Sequence, residues 1–172
     1  INFLKKDHNP ESYIGIFDTY ISLDNRQERI KPLLPLYIKD RPINLNFNDY
    51  TDEIIDYKNS ASLQLYNNAS ALLNSNNKLD VRVAYDVLRD IETINPNYKD
   101  VRQLMEIAHQ KGRDFVLVDM INDSGKIIPN RLENDLLNFS SYGLNNFWSV
   151  YHGTPEEKVD YDFNMRVNLR GI

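Results

Sequence analysis

The sequence predicts an α+β protein that is predominantly α, and three observations carry this prediction. Apolar residues recur with helical spacing over residues 1–112, and prolines separate the helical segments. After Gly112 the composition changes to short runs rich in β-branched and aromatic residues. We therefore expect helical hairpins over residues 1–112, followed by a small strand–helix–strand–strand module over residues 113–172 that packs on the last helices.

The composition argues against several classes of protein. A chain of 172 residues suits one domain or two small ones. A domain of about 150 residues buries enough surface to fold without disulfides or a structural metal. The absence of cysteine excludes disulfides, thiolate metal sites and a cysteine nucleophile. The formal net charge of −5 argues against a nucleic-acid partner. No apolar run approaches the ~20 residues of a membrane span.

The clearest helix lies between residues 80 and 95. A small residue is followed by larger apolar residues one and two turns later, and a proline ends the segment, in the pattern Ala84-x3-Leu88-x2-Ile91-x4-Pro96. Asp80 is the expected N-cap, because its carboxylate can accept free N–H groups of the first turn. Asn95 is the expected stop, because a residue before proline is biased away from the helical region.

Three further segments have a related pattern and predict first helices of helical pairs. They are Tyr13-x2-Ile16-Phe17-x2-Tyr20, Tyr66-x2-Ala69-Ser70-x2-Leu73 and Leu104-x2-Ile107-Ala108-x2-Lys111. Residues 74–77 are the expected turn before the helix described above, and Lys111-Gly112 is an expected helix end. Generic amphipathic helices share the same apolar stripe, so both interpretations stay open here.

The segment between the first two of these patterns is expected to be irregular. Pro32 and Pro35 interrupt the first helical pair, and Ile38–Asn48 is predicted to be an extended connection before a long helix begins near Thr51. Four acidic residues at this point share one helix face: Asp49, Asp52, Glu53 and Asp56. A cation site is one interpretation, but interaction with the positive helix N-terminus is simpler.

The C-terminal module is predicted from four runs. Phe115–Ile121 is a strand that ends in a turn at residues 122–125, and Pro129–Leu137 is a helix. Phe147–Tyr151 and Val159–Val167 are strands joined by a turn at residues 153–155. Apolar and polar residues alternate in the last run, as is typical of a half-buried antiparallel strand.

Catalytic and metal-binding patterns are weak. Glu106 and His109 share a helix face, but a carboxylate-bridged metal pair needs a second such motif and further glutamates. The sequence has no Gly-x-Ser-x-Gly motif and no cluster of glycines for a phosphate. We therefore expect no enzymatic activity, no metal and no cofactor.

An aromatic cluster is the most suggestive group of polar and apolar residues. Its members are Phe139, Tyr142, Phe147, Trp148 and Tyr151, with Asn145, Asn146 and His152 between them. Aromatic rings beside amides can bind sugars or peptide side chains. The alternative is that these rings form the core of the module.

Residues 84–112 resemble tetratricopeptide-like (TPR-like) segments of exported bacterial lipoproteins of unassigned function, through the Ala84 pattern and the run Ile94–Asp100. Residues 115–137 are similar in layout to small periplasmic α/β modules. The resemblance implies a cell-envelope protein, in the periplasm or at the outer membrane surface, with a lipid anchor upstream of Ile1. It also implies a helical groove that binds a peptide or protein.

The leading hypothesis is thus a non-enzymatic protein- or peptide-binding scaffold with a TPR-like groove. The groove residues predicted from the first helices are Tyr66, Asn67, Ser70, Arg102 and Glu106. The alternative is glycan or small-ligand binding around Trp148 and Tyr151. A third possibility is an enzyme whose site needs residues outside this sequence.

Overall fold

The computed structural model describes residues 12–138 and 145–170 and confirms the α+β, mostly helical fold class. Four packed helices precede a small parallel three-stranded sheet with one short helix. The helices are α1 (Tyr13–Ile30), α2 (Thr51–Leu73), α3 (Lys78–Ile94) and α4 (Val101–Gly112). A 3₁₀ turn (Lys31–Leu33) and the two-residue strands β1 (Tyr37–Ile38) and β2 (Arg41–Pro42) follow α1. The sheet region contains β3 (Asp114–Asn122), α5 (Asn130–Leu136), β4 (Ser149–His152) and β5 (Phe163–Leu169).

The chain forms two compact units, and each unit is built from two separate segments of the sequence. The first unit contains the described parts of residues 1–74 and 83–105, and the second contains those of residues 75–82 and 106–172. Both α3 and α4 therefore contribute residues to each unit. The domain boundary predicted at residue 112 stays a prediction.

The core of the first unit is built by the small-then-large pattern that the sequence displays. Ala84, Leu88 and Ile91 of α3 are fully buried, and so is Ala69 of α2. The alanines leave room for neighbouring helices to approach, and the larger side chains fill the space beside them. The predicted start near Thr51 and the predicted end at Lys111-Gly112 are confirmed by the observed helix bounds, and α3 ends at Ile94, one residue before the predicted stop at Asn95.

Helix α1 packs on α2 through aromatic rings. Tyr20 is buried and lies 5.9 Å from Tyr57 and 5.4 Å from Tyr50, measured between ring centroids. The segment after α1 is irregular, as expected, because Pro32 and Pro35 cannot continue a helix.

The acidic group before α2 acts at the helix N-terminus. Asp49 Oδ1 accepts hydrogen bonds from the hydroxyl and the backbone N–H of Thr51, at 2.7 and 3.0 Å. These bonds lower the pKa of Asp49, the hydroxyl bond most. Within residues 12–138 and 145–170, no three acidic or histidine side chains are grouped so that they could hold a metal ion.

The prediction that Asp80 caps α3 is wrong. The helix begins two residues earlier, at Lys78, and Asn77 Oδ1 accepts the backbone N–H of Leu79 at 3.0 Å. Asp80 lies in the first turn, where its carboxylate accepts the hydroxyl of Ser75 at 2.6 Å. Asparagine and aspartate are equally good caps, so the residue nearest the start takes the role.

The module after α4 has the predicted strand–helix–strand–strand order, but the predicted antiparallel pairing is wrong. The spatial order is β4–β3–β5, and both outer strands run parallel to β3. The turn at residues 153–155 therefore begins a connection that carries the chain past β3, and it does not close a hairpin. Alternating polarity in β5 indicates a strand but gives no information about its direction.

The sheet has a small apolar core on one face. Val116 and Val118 of β3 are buried there, and Leu137, Tyr151 and Val167 pack against them. Phe163 and Met165 occupy the same face of β5, because they pair in register with Val116 and Val118. Their exposed fractions are 58% and 45%, so the β5 half of this face is incompletely covered.

An ion network joins the first turns of α3 to the beginning of β3. Lys78 Nζ pairs with Asp162 and lies 3.5 Å from Asp114 Oδ1, while Arg82 pairs with Asp114 Oδ2 at 2.5 Å. Asp162 Oδ2 also accepts the backbone N–H of Phe115 at 2.8 Å. Burial opposes ionisation of Asp162, but Lys78, the Phe115 N–H and Arg82 together hold the pKa of this carboxyl below its ordinary value.

Truncation of Leu88 tests the core of the first unit. We expect Leu88→Ala to reduce the free energy of unfolding by roughly 2–5 kcal/mol, because it removes buried methyl groups and leaves a cavity. Leu63→Ala is the matched control, since Leu63 of α2 is 46% exposed. Urea unfolding measures both variants, and equal losses would contradict this description of the core.

Neutralisation of Asp162 tests the ion network. Its folded pKa is lowered, so its stabilising contribution is present above the unfolded value of about 3.9 and is lost as pH falls through the folded value. We expect Asp162→Asn to reduce the free energy of unfolding by roughly 1–3 kcal/mol at pH 7. The difference from the wild type should shrink in urea titrations as the pH is lowered below the unfolded value of about 3.9.

The exposed Asp160 provides the control for this experiment, because Asp160→Asn removes the same charge two residues away. A loss from Asp160→Asn as large as that from Asp162→Asn would mean that total charge, and not the network, controls stability.

Candidate functional site

Two of the predicted groove residues make hydrogen bonds within the first unit. The Tyr66 hydroxyl donates to Asp100 Oδ1 at 2.7 Å, and Ser70 Oγ donates to the Tyr66 carbonyl one turn away. Lys99 Nζ lies 4.4 Å from the Tyr66 ring centroid and 5.2 Å from that of Tyr98. The bond to Asp100 raises the pKa of the Tyr66 phenol, with burial and the nearby charge adding to it. Tyr66 thus fixes the α3–α4 loop against α2.

Arg102 also has an internal partner. Its guanidinium Nε donates to Glu92 Oε1 at 2.8 Å, and a second nitrogen binds the same oxygen. The bond from Arg102 lowers the pKa of Glu92, and the Asn97 N–H contributes to the same effect. Asn67 is exposed on α2, and Glu106 is exposed in the second unit. The structure therefore brings Tyr66 and Ser70 together, and it uses Tyr66, Ser70 and Arg102 in contacts of their own unit.

Trp148 packs inside the second unit. A Cβ atom added to Gly112 would lie 2.7 Å from the indole ring, so only glycine permits this close approach. The Arg82 guanidinium lies 5.3 Å from the ring centroid, and His109 and Phe147 contact the ring edge-on at 5.8 and 4.7 Å. Trp148 is partly buried by these groups.

Tyr151 has a different setting from Trp148. It contributes to the sheet core and lines a cleft of about 640 Å³ beside β4. Among the other lining residues are Asn134, Asn138, Asn145, His152, Thr154 and Glu156. Phe139 and Tyr142, the other two members of the predicted aromatic cluster, lie outside the described residues.

The two outer strands of the sheet have different edges. On the outer side of the four-residue β4, the Tyr151 N–H donates to Asn145 Oδ1 at 2.8 Å, and the Ser149 carbonyl accepts the Asn146 N–H. Residues 145–146 therefore cover this edge. The seven-residue β5 pairs with β3 on one side, and within the described part of the chain no strand pairs with its other side.

Sequence reasoning missed the outer edge of β5 and most residues of the cleft. The edge follows from the sheet order, which local patterns do not report. Asn134 lies in the predicted helix Pro129–Leu137 and Asn138 directly follows it, so neither stood out, whereas Asn145 was already named with the aromatic cluster. The sequence did contain one signal for the cleft: His152 and Glu156 flank the predicted turn Gly153-Thr154-Pro155, which brings their side chains close together.

Comparison with protein-family models, with curated proteins and with solved structures gives no match for this chain. No helix in the described ranges has the length and apolar character needed to cross a membrane.

The role of Tyr66 can be tested by removing its hydroxyl. We expect Tyr66→Phe to reduce the free energy of unfolding by about 0.5–1.5 kcal/mol, because the bond to Asp100 is lost. Tyr37→Phe is the control, since Tyr37 is an exposed residue of β1. If urea unfolding gives the same result for both variants, Tyr66 does not fix the loop and remains a candidate groove residue.

Proposed function

We propose that this chain is a non-enzymatic protein- or peptide-binding scaffold and that it binds an extended peptide segment along the outer edge of β5. The single observation that carries the proposal is a seven-residue strand without a neighbour on its outer side within the described residues. Unpaired backbone N–H and C=O groups on a strand edge can bind another strand by main-chain hydrogen bonds.

The side chains of β5 favour a ligand with alternating polarity. Phe163 and Met165 are two residues apart on one face and are both exposed. Asn164 and Arg166 occupy the opposite face. An added strand would place alternate side chains beside each face, so we expect apolar residues beside Phe163 and Met165 and polar residues on the other side.

A second copy of this chain fits the edge less well than a different peptide. Antiparallel pairing of two β5 strands over their full length would place Arg166, the central residue, opposite Arg166 of the second copy. Like charges directly opposite each other destabilise a strand pair. The occupant that we propose is therefore a segment of another protein.

This proposal retains the protein-binding class but changes the site. The groove residues Tyr66, Ser70 and Arg102 already have partners in the first unit, so a ligand would have to compete for them. Among residues 12–138 and 145–170, no strand would have to be displaced from the outer edge of β5. We extend the proposal to the bacterial cell envelope solely on the resemblance of residues 84–112 to exported lipoproteins.

A peptide array tests the proposal. The probes are seven-residue peptides in which apolar residues alternate with Thr or Ser, together with scrambled peptides of the same composition. We expect the alternating set to bind more strongly, because only these peptides present one apolar face to Phe163 and Met165. Alternate N–H groups of a bound strand point to opposite edges, and only one edge pairs with β5. N-methylation of every second residue of the best peptide should therefore abolish binding when the methylated residues face β5, and should have little effect when the other set of residues is methylated.

Protein variants locate the binding on the edge. We expect Met165→Ser to raise Kd roughly 5- to 30-fold in fluorescence polarisation, because apolar contact area is lost. Ile127→Ser is the control, since Ile127 is 98% exposed and lies outside the sheet. Equal binding of alternating and scrambled peptides would contradict the proposal, and so would concentration-dependent dimerisation that blocks the edge.

A further inference from the structure

The cleft beside β4 has the volume of a small-molecule site and a mostly polar lining. Its volume of about 640 Å³ lies within the ~300–1,000 Å³ of typical ligand pockets. The cleft is framed on one side by α5 and on the other by the turn after β4. These two parts lie close together: a Cβ atom added to Gly153 would lie only 2.7 Å from the Leu137 carbonyl oxygen.

The hydrogen bonds of His152 determine what its ring offers to the cleft. The Tyr161 hydroxyl oxygen accepts the Glu156 backbone N–H at 3.1 Å and lies 2.8 Å from His152 Nδ1. The hydroxyl proton can be donated to Nδ1, which makes this nitrogen the acceptor. The neutral ring then carries its proton on Nε2.

A donor and an acceptor are thereby placed side by side. His152 Nε2 lies 3.8 Å from Glu156 Oε1, which is beyond hydrogen-bond distance, and the Glu156 side chain is 63% exposed. Asn145 uses its carbonyl oxygen for the Tyr151 N–H, so its NH₂ group can donate to a ligand. Asn134 and Thr154 add an amide and a hydroxyl that can both donate and accept.

We infer that this cleft binds a neutral polyhydroxylated ligand, that is, a sugar. Adjacent hydroxyl groups each donate and accept, so a pair of them can bind His152 Nε2–H and Glu156 Oε1 together. Val150 lies two residues before His152 on the same face of β4, and its side chain supplies an apolar surface that can pack against the C–H groups of a sugar. This site is separate from the β5 edge and does not depend on peptide binding there.

The lining disfavours other classes of ligand. No lysine or arginine is among the residues that line the cleft in the described part of the chain, and Glu156 would repel a phosphate or a carboxylate. An apolar ligand would leave the amides and the carboxylate without hydrogen bonds, which costs free energy.

Saturation-transfer NMR with defined sugars tests the inference. The probes are glucose, galactose, mannose and N-acetylglucosamine, a mixture of neutral oligosaccharides, and glucose-6-phosphate. We expect at least one neutral sugar to bind and the phosphorylated sugar to bind more weakly than glucose. Preference for the oligosaccharides would indicate that the natural ligand is part of a glycan chain, and preference for the monosaccharides would indicate that it is a free sugar.

Matched variants place the binding in the cleft. Glu156→Gln keeps the shape of the side chain and should raise Kd about tenfold, because a charge-assisted hydrogen bond is lost. Glu157→Gln changes the neighbouring exposed glutamate, which does not line the cleft, and should leave Kd unchanged. Tyr161→Phe should also weaken binding, since His152 then loses the hydroxyl that fixes its tautomer.

Three results would overturn the inference. They are the absence of a signal from every neutral sugar, equal or tighter binding of glucose-6-phosphate relative to glucose, and equal Kd values for Glu156→Gln and Glu157→Gln. Unchanged circular dichroism of the variants separates loss of binding from loss of fold. Peptide binding at β5 should survive Glu156→Gln, so failure of one proposal is distinguishable from failure of the other.

Discussion

The sheet unit depends on the ion network between the first turns of α3 and the entrance of β3. Lys78 and Arg82 are one turn apart, and Asp114 and Asp162 lie between them and the sheet. Arg82 Nε also donates to the Gly112 carbonyl, and Lys78 Nζ donates to the Arg113 carbonyl. Because all four side chains are only 23–34% exposed, removal of one partner would leave a poorly solvated charge. The network fixes the central strand and the approach to β5.

With β3 fixed, the two sides of the sheet differ in chemistry. On the β4 side, polar side chains and a turn border an open cleft, and residues 145–146 cover the strand edge. On the β5 side, the edge is long and the apolar face is partly uncovered. A small sheet can present both surfaces because a parallel arrangement needs long connections, and these connections supply the residues that line the cleft.

The helices were predictable from the sequence, whereas the sheet order was not. Proline positions and the spacing of Ala84, Leu88 and Ile91 are local signals, and helix ends respond to them directly. The pairing of β3 with both β4 and β5 is decided by contacts over long sequence separations. Lys78 and Asp162, for example, are 84 positions apart. The proposed surfaces at β5 and beside β4 do not follow from local patterns for the same reason, and neither does the hydrogen bond between Tyr66 and Asp100, which are 34 positions apart.

The close approach of Trp148 to Gly112 has a practical consequence. Trp148 is the single tryptophan of the sequence, and it belongs to the second unit. Its indole lies beside a guanidinium and an imidazole, so its emission should change when these neighbours separate. Intrinsic fluorescence excited at the indole band therefore follows the second unit by itself, while the far-ultraviolet dichroism is dominated by helices. The chain carries its own optical reporter for deciding whether its two units lose their structure in one step or in two.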